Sequence, residues 1–279
     1  MEIQTVITKE VFEKYVPSAK MPERSDSVYT RLQEQFRISY SQVVKHVVGS
    51  EVLETAEQNE QLKEDIIRLV CLRAFAQIIR SLDLVLTATG FGIVSTNTTV
   101  PASKVRVDAL LEETRLAIVQ CTDDCIRQLT GISAWKDTSA AHACIGTIFW
   151  SVEMMKEFCW IPLTADNWQR TKGLAVIADG FLRKVVSDEY MEELLEKMRS
   201  NSLTSDDAII VTKCNRFTGS FISGYEQDKR PSQKQLDDIM QHLETYSSRY
   251  PTYVSSEVYK GKHAERYQNK REDPTFFFM

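Results

Sequence analysis

Five pairs of identical adjacent carboxylates punctuate the chain: Glu112/Glu113, Asp123/Asp124, Glu192/Glu193, Asp206/Asp207 and Asp237/Asp238. General acid–base catalysis needs two carboxylates in different, partly buried environments, so that one holds a proton the other has lost. Neighbours on a helix point about 100° apart, and these pairs fall on the polar faces of helical patterns, so they read as solvated surface. Asp188, Asp206 and Asp207 are better placed to complement the positive ends of helices. The histidines His46, His142, His242 and His263 pair with no nucleophile at a readable spacing. The six cysteines, Cys71, Cys121, Cys125, Cys144, Cys159 and Cys214, contain no Cys-x-x-Cys and read as buried reduced thiols. His142-Ala-Cys144 is the one close His/Cys pair, and no second ligand pair at structural-zinc spacing accompanies it. Dinucleotide, Walker, nucleophile-elbow and His-Glu-x-x-His signatures are absent. Gly90-Phe-Gly92 follows a helical pattern rather than a strand, which argues against a phosphate cradle. These residues predict no catalytic site, no cofactor and no metal.

Binding chemistry is written more clearly. Lys260, Lys262, His263, Arg266, Lys270 and Arg271 interleave with Tyr253, Tyr259 and Tyr267, diluted by Glu257, Glu265, Glu272 and Asp273. This pattern suits a solvated linker, an acidic protein groove or, more weakly, nucleic acid. The chain then runs into Phe276, Phe277 and Phe278. Each buried Phe is worth roughly 1.5–3 kcal/mol, so something should bury them, either this domain or a partner. Docking into another subunit or partner is the favoured reading.

The elements that must carry these residues read as helices. Of 279 residues, 43% are hydrophobic and 26% charged, with only ten glycines and seven prolines, which suits a helical protein with a sizeable core. Net charge is −5 and the pI about 5.6, against a dedicated nucleic-acid binder. Met1-Glu-Ile-Gln-Thr lacks the features of a signal peptide, and no apolar run approaches the ~20 residues of a membrane span. The expectation is a protein made in the cytoplasm with no membrane partner.

Thr8 caps a short helix that Pro17 ends. Asp26 or Ser27 caps a longer one, broken at Gly49-Ser50-Glu51. Asn59 to Thr87 reads as a strongly apolar, central helix. Residues 90–101 are β-branched and glycine-punctuated, predicting a β-hairpin or extended loop. Ser103 caps a long helix to Gly131, with Asp123, Asp124 and Arg127 facing out; 132–163 is mixed. Helices capped by Thr164, Ser187 or Asp188, and Thr204 follow, and Pro231 opens a last one to Ser247. The fold class is therefore all-α: a helical domain over 1–249, with halves at 1–131 and 132–249, and an extended C-terminal arm over 250–279. The halves echo each other. Val43–Glu54 resembles Phe181–Glu192, and Asp65–Ile79 resembles Asp207–Phe221 after a four-residue gap, which suggests a pseudo-symmetric domain.

The order of short motifs is also suggestive: Thr89-Gly-Phe-Gly-Ile-Val-Ser, Val100-Pro-Ala-Ser-Lys and Arg106-Val-Asp-Ala-Leu-Leu, then Trp135, Phe149-Trp150, Leu163-Thr-Ala-Asp-Asn-Trp and Val185-Val-Ser-Asp-Glu-Tyr. Over residues ~5–250 this resembles the head–tail connector (adaptor, or head-completion) proteins of tailed phages of gut Bacteroidales, crAss-like and related. None of these motifs is catalytic. The resemblance implies a mostly helical, non-enzymatic virion protein at the head–tail interface. It implies a homo-oligomeric ring that matches the portal, with the portal and the next tail or connector protein as partners. In that role Phe91, Ile93 and Val94 of the 90–101 segment, and Tyr253, Tyr259, Tyr267, Phe276, Phe277 and Phe278 of the arm, are the partner-contacting candidates. Two alternatives stand beside it: another tail-completion or minor virion protein, and a cellular helical regulator that binds nucleic acid through its basic arm.

Overall fold

Apolar residues at three- and four-residue spacings resolve into fourteen α-helices in a computed structural model that describes residues 2–19, 26–82, 84–87, 90–93, 103–225, 227 and 229–264. The first six are α1 (Ile3–Val6), α2 (Lys9–Tyr15), α3 (Asp26–Val43), α4 (Leu53–Gln58), α5 (Glu60–Ile78) and α6 (Lys104–Leu129). The remainder are α7 (Ser139–Cys144), α8 (Val152–Phe158), α9 (Ala165–Val186), α10 (Asp188–Arg199), α11 (Ser205–Tyr225), α12 (Gln233–Thr245), α13 (Pro251–Ser255) and α14 (Glu257–His263). The fold is all-α.

Helix α5 is apolar almost all round, and it lies between α3 and α6. Phe12 of α2 sits 5.7 Å from Phe36 of α3 and 6.2 Å from Phe75 of α5, ring centre to ring centre, which welds three helices at one point. In the second half α9, α11 and α12 pack together and α8 crosses α11. The halves share one core that runs from Ile3 to Tyr253. Helix α6 reaches α8 and α9, and α7 packs on a π-helical turn, Val44–Val48, that extends α3. Trp135 is fully buried at this junction and donates its indole N–H to the Val47 carbonyl at 3.1 Å.

The caps form largely where the sequence places them. Thr8, Asn59, Thr164 and Ser187 each accept a backbone N–H of their helix's first turn. Thr204 and Asp207 form a reciprocal box, each accepting from the other's backbone N–H at 3.1 Å. The internal echo gains a backbone counterpart. Gly49 and Ser187 occupy matching positions and hold the same left-handed conformation, φ 87° with ψ 131° and φ 88° with ψ 153°.

Three expectations need correction. The hairpin starts earlier than expected: β1 (Leu84–Thr87) pairs antiparallel with β2 (Gly90–Ile93), Leu84 opposite Ile93 and Thr87 opposite Gly90. The helix ends at Ile78 rather than Thr87, because the unbroken apolar run Leu84-Val-Leu fits a strand as well as a helix. Asp123 does not face out; it is buried and accepts the Val152 N–H at the start of α8. The extended arm does not begin at residue 250, because 250–263 form α13 and α14 and return to the domain. Tyr250 and Tyr253 are core residues.

Candidate interaction surface

Burial removes Tyr253 from the contact candidates. Its ring packs edge-on against Tyr259 at 5.5 Å, and its hydroxyl donates to Glu244 Oε1 at 2.6 Å. Lys262 donates to the same hydroxyl at 3.2 Å, and His263 lies 3.3 Å from Glu244 Oε2. These two basic residues are thus spent inside the domain, on a glutamate of α12. Tyr259 is half-buried and stacks on His263 at 4.0 Å. Phe91 and Ile93 lie on β2, in register with Leu86 and Leu84 of β1. Val94, Tyr267, Phe276, Phe277 and Phe278 lie outside the described residues.

Sequence reasoning missed the most exposed large hydrophobic side chain among the described residues. Trp160, in the connector between α8 and α9, is 91% exposed. The connector itself is held firmly. The Trp160 backbone N–H donates to Ser223 Oγ of α11 at 2.9 Å. One turn earlier on α11, Gly219 lets the Phe158 carbonyl approach so closely that a Cβ at 219 would lie 2.3 Å from it. The chain therefore holds the backbone at the indole and two residues before it, and leaves the indole in water. A lone exposed aromatic needs no explanation by itself. An indole on an anchored backbone is the geometry of an interface anchor, because little conformational freedom is lost when it docks.

A recess of about 390 Å³ adjoins it, with Trp160, Phe221, Gly224, Lys229 and Arg230 in its wall. A second, of about 540 Å³, continues along α11 and α12 past Arg216, Ser220, Lys234 and Asp238. Gly224 shapes the turn between the two helices; its carbonyl accepts from Gln227 and Lys229, and a Cβ there would press on the Lys229 side chain at 3.2 Å. Lys213 pairs with Asp238. Among the described residues, Arg216, Lys229, Arg230 and Lys234 have no ion-pair partner, and Tyr225 is exposed beside them. The sequence carries Glu226 and Asp228 between Tyr225 and Lys229. The surface is a tryptophan beside a basic groove, and it suits an acidic partner surface with an apolar socket.

Three of the residues first weighed for chemistry, Cys71, Cys214 and Asp207, lie in the packed interior. Burial pushes the Cys71 and Cys214 thiols up to about 12, so neither carries much thiolate at neutral pH. Burial alone would raise Asp207, but Lys197, Thr204 and Tyr190 hydrogen-bond to it and hold it below the usual carboxylate range. Among the described residues no cluster of three or more His, Cys, Asp or Glu could hold a metal ion, and no helix is long and apolar enough to cross a membrane.

Residues 19–144 match a family of unknown function (DUF6712). The match takes in α3 to α7 and the hairpin, less than half of the chain, and stops short of Trp160 and the basic groove. No curated protein and no solved structure matches the chain.

Proposed function

We propose that this chain is a non-enzymatic structural protein of a tailed-phage virion, a head–tail connector that assembles as a ring on the portal and joins it to the tail. Its partners on this reading are other copies of itself, the portal and the next tail or connector protein, and it acts at the head–tail interface of the virion. The order of sequence motifs supports the reading, and so does an all-α core that presents a separate hairpin. The single observation that carries it is Trp160, 91% exposed on a backbone held by Ser223 and close to Gly219, next to a basic groove. Such an anchor is what an assembly protein needs and an isolated fold does not. The nucleic-acid alternative loses ground, because Lys262 and His263 are already engaged with Tyr253 and Glu244.

Binding to the cognate portal tests the proposal. Full-length protein is expected to co-migrate with portal on size exclusion, and W160S to lose affinity by about 2 kcal/mol or more while keeping its helical circular dichroism. Undiminished portal binding by W160S would remove the anchor. An absence of portal binding by the full chain would overturn the connector reading.

A further inference from the structure

A cavity of about 340 Å³ lies where the two halves meet, walled by α5, the π-helical turn, α6, α7 and α9. It shares no residue with the Trp160 surface, and a ligand bound there would be independent of the connector reading. Arg73 of α5 contributes to its wall, and it is the one charged residue between Leu69 and Ile79. Its Nε is buried with no hydrogen-bond partner, while the residue as a whole is half-buried. An arginine does not escape this by losing its proton. A buried donor left without a partner is costly, and among the described residues nothing hydrogen-bonds the Arg73 Nε.

The rest of the wall is consistent with a missing anion. Lys172 of α9 and His46 of the π-helical turn line the same cavity. The one acid there is Asp123, whose carboxylate already accepts the Val152 N–H. Burial pushes Asp123 up to about 7, so near neutrality it offers Arg73 only part of a negative charge. Two indoles, Trp150 and Trp168, supply flat apolar surface, and Lys172 stands 5.9 Å from the Trp168 ring. A half-buried arginine, an exposed lysine at the rim, flat apolar walls and a volume near the low end of small-molecule sites describe a ligand pocket rather than a packing defect.

We propose that this cavity binds a small oxyanion, a carboxylate or phosphate whose charged end meets Arg73 and Lys172 and whose apolar body lies against Trp150 and Trp168. The anion completes the junction between the halves, since its contacts come from α5 and α9 together. Affinity for a carboxylate, whose own charge is constant from pH 8 to pH 6, increases over that fall as Asp123 loses charge. The other charges around Asp123 are Asp124 and Arg127 on its own helix and Glu153 on α8, and Cys144 of α7 is the remaining titratable group of the wall.

The test is titration of the full chain with inorganic phosphate and, separately, with benzoate, followed by tryptophan fluorescence and by the shift in melting temperature. Saturable binding of at least one probe is expected in the wild type, and benzoate, which stays ionised throughout, is expected to bind tighter at pH 6 than at pH 8. R73M is expected to weaken it by about tenfold or more, the value of one charge-assisted hydrogen bond. R73M without ligand should melt at or above the wild-type temperature, because the unpartnered Nε is gone. K172Q, at the exposed rim, keeps the test open should R73M misfold, and should also weaken binding. If neither probe binds saturably to the wild type, or if both variants bind as well as the wild type, the proposal is wrong.

Discussion

Ser187 holds a backbone conformation, φ 88° and ψ 153°, that is nearly exclusive to glycine. It remains serine because its hydroxyl caps α10, accepting the Tyr190 N–H at 3.2 Å. The two effects oppose each other, and their sizes predict an order. S187A keeps the strain and loses the cap, so it should cost about 1 kcal/mol. S187G relieves the strain and loses only a few tenths from the cap, so it should gain about 0.5–1 kcal/mol after the entropy of glycine in the unfolded chain is counted. Urea denaturation checks both. Asp123 gives a prediction with a pH signature. Its carboxyl is raised by burial from 3.8 to about 7, so the folded state binds the proton more tightly than the unfolded state. Stability from this group is full below the unfolded value and is lost as pH climbs through about 7. D123N keeps an acceptor for the Val152 N–H without the charge. It should exceed the wild type by about 1–3 kcal/mol at pH 8 and by little at pH 4, and a constant difference across that range would refute the titration. The sequence announced the Ser187 cap, because Ser before Asp-Glu is a local signal. It did not announce Asp123, because its burial depends on α8 crossing from 29 residues away.

Among the elements, most helices and caps were legible, since periodicity and capping are local. The misreadings share one cause: each was decided by contacts distant in sequence. Leu84–Thr87 became a strand through its partner Gly90–Ile93. Residues 250–263 looked polar enough for a free arm, yet Tyr250 fits against Tyr190 at 5.6 Å and Arg249 pairs with Asp206 at 3.0 Å, so the segment is part of the fold. A chain ending at Ser248 discards two buried tyrosines, each worth roughly 1.5–3 kcal/mol. It should melt markedly lower than a chain ending at Ala264; equal melting of the two truncations would contradict the docking of α13 and α14. Gly219 predicts a packing failure of the same kind. G219A forces its Cβ against the Phe158 carbonyl at 2.3 Å, so α8 must shift at a cost of about 1–3 kcal/mol. The Trp160 connector should move with it, seen as a change in hydrogen exchange across 158–164. Unchanged exchange there would mean that Ser223 alone fixes the loop.

At the scale of the whole molecule, two halves of like helical order share one core, and the matched left-handed residues Gly49 and Ser187 mark the same break in each. The sequence echo had pointed to those positions, and the backbone supplies an independent likeness. The surface for partners was less legible. Exposure of Trp160 is a property of the assembled second half, and neither its residue type nor its neighbours in the chain distinguish it from the buried Trp135 or Trp168. The basic groove joins residues of α11, the following turn and α12, which the helical pattern treats as separate polar faces. For a connector, these features should act together in a closed head-to-tail ring. The deciding measurement is native mass spectrometry, with negative-stain microscopy, of the cognate portal mixed with the full chain, with W160S and with the chain ending at Ala264. A closed ring of the full chain on the portal, lost in W160S although that variant is folded, is the predicted result. A full-length protein that stays monomeric in the presence of portal would contradict the connector proposal.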